Sequence, residues 1–167
     1  MKIYTSDTTN TVRERTKVGI ADYGVVSGDE TLTTSGLGSC VGIALYDNAS
    51  GVAGLAHAML PYANGDSKEA KYVDTVVPAL LQSMVDRGAN PRNVRAKLAG
   101  GSTMFEFSST DGSIGDRNVA AAREVLGRER ISIVAENVGG DHGRSLELVA
   151  STGDLRVRSA NAGRTTI

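Results

Sequence analysis

The stretch Thr34-Ser35-Gly36-Leu37-Gly38-Ser39-Cys40-Val41-Gly42-Ile43-Ala44-Leu45-Tyr46 runs through Asp47-Asn48-Ala49-Ser50-Gly51 into Val52-Ala53-Gly54-Leu55-Ala56-His57-Ala58-Met59-Leu60-Pro61. Val41, Ile43 and Leu45 recur at every second position with small residues between them, which is the period of a strand. Asp47 to Gly51 has the composition of a turn. Val52 to Leu60 is a second apolar run, stopped by Pro61. Two strands joined by a short polar turn predict a β-hairpin at the centre of the fold.

Upstream, Val18, Ile20, Val25 and Val26 supply strand material, with a turn at Gly28-Asp29 before Leu32-Thr33-Thr34. Residues 1–16 are polar and read as an N-terminal arm. Downstream, Val73, Val76, Val77, Leu80, Leu81 and Met84 follow helical spacing. A helix is expected over Asp66–Arg87, opened by an Asp66–Glu69 capping box, interrupted at Pro78 and stopped by Gly88. Val94, Ala96 and Leu98 alternate as a strand ending at Gly100-Gly101, and Asn118–Leu126 is a second helix. Ile131–Val138 reads as a strand, and Leu146–Ala150 with Leu155–Val157 as a hairpin around Ser151–Asp154. This order predicts a single-domain layered α/β sandwich with a mixed β-sheet and two main helices. Its domain is expected at 17–158, with a tail at 159–167.

Eighteen basic against nineteen acidic residues exclude a strongly basic nucleic-acid binder. One cysteine excludes an internal disulfide and a cysteine-based zinc site, and two histidines make a poor metal cage. No apolar run approaches the ~20 residues needed to span a bilayer, so no membrane insertion and a cytoplasmic location are expected. Twenty glycines, no tryptophan, five tyrosines and two phenylalanines describe a small-aliphatic core cut by tight turns. The glycines do not make phosphate cradles. Gly36-Leu37-Gly38 precedes a strand where a dinucleotide fingerprint opens a helix, and Gly100-Gly101-Ser102-Thr103 lacks the Gly-Lys-Ser/Thr of a P-loop.

A lone cysteine usually packs as a small hydrophobe. Cys40, however, follows a glycine-containing turn whose backbone N–H groups suit an oxyanion, and Gly42 and Ala44 on its face leave room for a substrate. If Tyr46 pairs with Gly51 across the loop Asp47–Ser50, Cys40 falls directly opposite His57. Side chains so placed lie about 4.5–5.5 Å apart at Cβ, within reach of a thiolate–imidazolium pair. A one-residue slip puts them on opposite faces, and His57 is then an ordinary half-buried strand histidine. The imidazole needs a third group to hold it, for which Thr33, Thr34 and Ser39 all qualify. His142, in the loop Gly139–Gly143, reads as a solvated or rim side chain.

The run Gly38-Ser39-Cys40-Val41, preceded by Thr34, resembles the signature of the CheD family of chemoreceptor glutamine deamidases. Val18–Tyr23, Gly54–His57 with Met59-Leu60-Pro61, and Lys71–Asp74 are similar to further family blocks. So are Lys97–Gly101 with Met104-Phe105, Ile114-Gly115 with Arg117-Asn118-Val119, and Gly139-Gly140 with Gly143-Arg144. Ser102-Thr103 departs from the pattern, where a smaller residue is expected after the double glycine. The resemblance implies a cysteine amidohydrolase with Cys40 as nucleophile, His57 as acid–base and Thr34 as its support, Thr33 being adjacent. It places the oxyanion on the backbone at Ser39 and Cys40 and requires no metal or organic cofactor. It implies chemoreceptor cytoplasmic helices as substrate, methylated glutamates as a second substrate class, and a CheC-type phosphatase as partner. Its rival is a regulatory module that binds such a phosphatase without catalysis.

Overall fold

A computed structural model describes residues 14–103, 112–160 and 162–167. The greater part of the polar arm, residues 1–13, and the Met104-Phe105 block lie outside the described residues. Ten strands and two α-helices are present among the described residues. They are β1 Arg15–Lys17, β2 Asp22–Ser27, β3 Thr31–Leu37, β4 Val41–Asp47, β5 Val52–Ala58, α1 Val73–Asp86, β6 Arg95–Gly100, α2 Ile114–Arg128, β7 Ser132–Val138, β8 Arg144–Val149, β9 Leu155–Ser159 and β10 Gly163–Thr166.

The strands form two five-stranded sheets rather than one. The central sheet has the order β2-β5-β4-β6-β7 and the second β10-β9-β8-β3-β1. Both are mixed, through the parallel pairs β6–β7 and β1–β3. The helices cover one face of the central sheet and the second sheet covers the other. Val41, Ile43, Leu45, Val52 and Ala56 pack with Val76, Val77, Leu80 and Met84 on the helix side. Ala44, Tyr46, Ala53 and Leu55 pack with Leu32, Leu37, Leu146, Leu148 and Leu155 on the other. Every residue of β4 and β5 is therefore buried. The small residues between Val41, Ile43 and Leu45 have a physical purpose: they let a second sheet approach the back of the first.

The hairpin forms, in a register two residues from the expected one. Asp47 pairs with Val52, and Gly42 rather than Cys40 faces His57. The cause is Asp47, whose buried carboxylate accepts from the N–H groups of Ala49 (2.9 Å) and Asn90 (2.9 Å) and from Ser50 Oγ (2.9 Å). Asp47 thus caps the loop from the last strand position instead of sitting inside it. A shift of two keeps every side chain on its expected face.

Helix α1 begins at Val73 instead of Asp66. Asp66 makes no capping box; its carboxylate holds Lys68 N (3.1 Å) and Tyr72 Oη (2.6 Å), and Tyr72 is extended. The helix runs through Pro78, which stands on its exposed side, and ends where Gly88 takes φ +107°. Helix α2 is longer than expected because Ser113 and Asp116 cap each other reciprocally at its start. Residues 15–17 form β1, and β10 falls within 159–167, pairing Arg164 with Arg158 of β9.

Candidate active site

Strand parity carries His57 to the seam between the two sheets. It faces Gly42, whose missing Cβ would stand 2.5 Å from Leu146 Cδ1, so the seam is tight at this point. His57 is fully buried. Its Nδ1 lies 2.8 Å from Thr34 Oγ1 on β3, and its backbone carbonyl accepts from Ala21 N at 2.9 Å.

Thr34 Oγ1 also donates to Val18 O at 2.8 Å. A hydroxyl has a single proton, so Thr34 must accept from Nδ1–H of His57. The lone pair is thereby left on Nε2, as a general base requires. Nε2 is buried and has no hydrogen-bond partner among the described residues. Burial pushes the imidazole below its ordinary value of 6.5, so it rests neutral. Thr34 is the hydroxyl that meets His57; Thr33, next along the strand, takes the opposite face.

Cys40 immediately precedes β4 and is half-buried against the inter-sheet core. It shares a face with Gly42, the residue opposite His57, and so stands on the diagonal from the imidazole. No hydrogen bond joins Sγ to Nε2 in this structure. Burial is the main influence on the thiol and pushes it above its ordinary value of 9.0, with its own backbone N–H acting the other way. Desolvation of both groups thus favours thiol and neutral imidazole over the expected thiolate–imidazolium pair.

The loop before Cys40 is pinned from several sides. Gly101 N donates to Cys40 O (2.8 Å) and Ser102 N to Gly38 O (2.9 Å). Gly100 must be glycine: its φ is +101°, and a Cβ would lie 2.5 Å from Cys40 O. The N–H groups of Ser39 and Cys40 donate to no carbonyl among the described residues.

Asn118 has a structural role that its sequence position does not announce. It is fully buried at the start of α2, and its amide donates to both Ser39 O (2.8 Å) and Met59 O (2.9 Å). It thus ties the Cys40 loop to the end of the His57 strand. A polar residue near the start of a helix looks like surface until its tertiary partners are known. Arg144 is also buried, bonding Asn137 Oδ1 (2.9 Å) and Gly100 O (3.4 Å). Ser102 is buried with Oγ unpartnered among the described residues, as is Asn118 Oδ1. His142 stays in its loop, with Asp141 at 3.8 Å.

Fold and site together define a two-sheet α/β protein with a buried histidine–threonine pair between its sheets and a half-buried cysteine just before the neighbouring strand. A family model described as CheD chemotactic sensory transduction matches residues 59–159. A Haloarcula marismortui protein named "Probable chemoreceptor glutamine deamidase CheD" is 47% identical over the whole of both chains. A Natronomonas pharaonis protein of the same name is 45% identical, over 92% of this chain and 93% of its own. A crystal structure of a Neisseria meningitidis protein superposes with a TM-score of 0.46 at 14% identity, over 77% of this chain and 63% of that one. The chain belongs to the CheD family.

Proposed function

We propose that the protein is a cysteine amidohydrolase that converts glutamine side chains of chemoreceptors to glutamate and ammonia. The observation that supports the reading is the Thr34–His57 hydrogen bond, which leaves His57 Nε2 buried and without a partner among the described residues, on a strand face shared with Gly42 and Cys40. The names of the relatives supply the substrate class.

As Cys40 Sγ attacks the carboxamide carbon, its proton passes to His57 Nε2. The carbonyl oxygen becomes an oxyanion within reach of the Ser39 and Cys40 N–H groups. The imidazolium returns that proton to the departing nitrogen, so ammonia leaves and a thioester remains. Water then attacks the thioester while His57 takes its proton, glutamate is released and the thiol is restored. Thr34 holds the Nδ1–H tautomer through both halves. Burial favours the neutral thiol and imidazole, so in this reading the proton moves during attack rather than before it. The same acyl sequence acts on a methylated glutamate, with methanol leaving instead of ammonia.

A cytoplasmic location fits this substrate, and no helix among the described residues is long and apolar enough to cross a membrane. A CheC-type phosphatase remains the partner implied by the family resemblance. Incubation with a chemoreceptor cytoplasmic fragment tests the activity, each deamidation adding about one dalton as nitrogen is replaced by oxygen. Phosphatase binding without any mass change in the receptor would favour the binding-module reading.

A further inference from the structure

The outer face of the second sheet carries charges that the chemistry above does not use. Leu32, Leu146, Leu148, Leu155 and Val157 turn inward, so the alternate positions of these strands stand outward. Arg15, Lys17, Arg156, Arg158 and Arg164 line a groove there of about 500 Å³, with Glu147 as its single carboxylate among the described residues. Five cations are thus gathered on one face of a chain whose net charge is −1.

The cations are not equivalent. Glu147 pairs with Arg15 and, at 3.6 Å, with Arg156. Lys17, Arg158 and Arg164 have no carboxylate within ion-pair distance among the described residues. Arg158 and Arg164 are also direct cross-strand partners. Like charges in that relation destabilise a sheet, and an anion seated between them removes the repulsion.

These three lie toward the Cys40 end of the sheet. Lys17 pairs with Thr33, one residue before Thr34, and Arg158 pairs with Ser145, beside the Leu37–Arg144 pair. A second hollow of about 400 Å³ shares Arg158 and Ser145 with the groove and reaches Gly36. Gly36 accepts from Gly38 N at 3.1 Å, at the lip that leads to Cys40.

We propose that this groove docks a carboxylate-bearing segment of the protein substrate, with Lys17, Arg158 and Arg164 taking its carboxylates while a glutamine is presented at Cys40. The identity of the partner rests on the deamidase reading. A protein segment fits better than a long polyanion, because the basic face is bounded and the rest of the chain is net negative and repels what extends beyond it.

The test is Arg158→Glu. It turns a like-charge cross-strand pair into an opposite one, so the variant should melt at or above the wild-type temperature. Fluorescence anisotropy then compares Cys40→Ala with Cys40→Ala/Arg158→Glu, using a labelled acidic chemoreceptor cytoplasmic fragment. The reversal should weaken binding about tenfold or more at ~50 mM salt and by much less at ~300 mM. In the active protein the loss should fall on KM for the fragment rather than on kcat.

Equal affinity with and without the reversal at low salt overturns the docking proposal. So does binding of duplex DNA or phosphatidylserine vesicles in place of the fragment. If binding responds to the reversal but no fragment is deamidated, docking stands and the deamidase reading falls. If deamidation proceeds indifferent to the reversal, the chemistry stands and the docking falls.

Discussion

The two faces of the β4–β5 hairpin use one device for different ends. On the helix side, Gly54 lets α1 settle onto the strand: a Cβ there would lie 2.6 Å from Leu80 Cδ1 and 3.2 Å from Met84 Sδ. On the sheet side, Gly42 admits Leu146 in the same way, with 2.5 Å to its Cδ1. Around Gly54 the neighbours are aliphatic. Across from Gly42 stands His57, fully buried and held by Thr34. A helix presenting only Val76, Val77, Leu80 and Met84 offers an imidazole nothing to bond. A strand offers hydroxyls and carbonyls at close spacing, so the seam that can host chemistry is the one between sheets.

The largest effect should come from Cys40→Ala on the sheet side. Loss of the nucleophile should cost at least about three powers of ten in receptor deamidation, ~4 kcal/mol at 1.4 each, while the melting temperature stays close to wild type. Activity within tenfold of wild type would remove Cys40 from the mechanism.

Leu80→Ala on the helix side should do the reverse. Truncating a fully buried leucine should cost about 2–5 kcal/mol in denaturant unfolding, with kcat per folded molecule retained. A fall in kcat beyond the folded fraction would show that the two faces are coupled.

Thr34→Val keeps shape and removes the acceptor for Nδ1–H. It should lower kcat by roughly ten- to a hundredfold and stability by about 1–3 kcal/mol, while Thr34→Ser should recover most of both. Indifference of kcat to Thr34→Val would mean that the tautomer is held by some other group.

The smallest effect concerns pH. Burial keeps His57 neutral below its ordinary 6.5, so the unfolded chain binds a proton there that the folded chain does not. Stability should therefore fall as pH drops from about 6.5, and His57→Gln should flatten that slope. Alkylation of Cys40 by iodoacetamide should climb through and beyond the ordinary thiol range; a plateau near neutrality would instead reveal a preformed ion pair.

Much of this comparison was legible from spacing. Period two in Val41–Leu45 located the hairpin, and face parity survived even though Asp47 moved the register by two. The start of α1 was misread because Asp66 and Glu69 mimic a cap whose hydrogen bonds go elsewhere. The second sheet was invisible as a separate layer, since β3 pairs with β8 more than a hundred residues away, Thr31 against Val149. Strand β10, Gly-Arg-Thr-Thr, carries no apolar alternation to announce it. Asn118 showed that a clamp made by one side chain on two distant carbonyls leaves no local pattern at all.

That long-range β3–β8 pairing also governs timing. The hairpin, α1, β6, α2 and β7 can associate largely in chain order, but β3 gains its inner partner only when Arg144–Val149 is available. Pairings of such separation are slow to close, because the loop entropy is lost before the contact forms. During synthesis, His57 is thus translated and placed in its strand well before the sheet that carries Thr34 can settle against it. On that ground the Thr34–His57 contact is expected to form only when that layer docks, as a late event of folding.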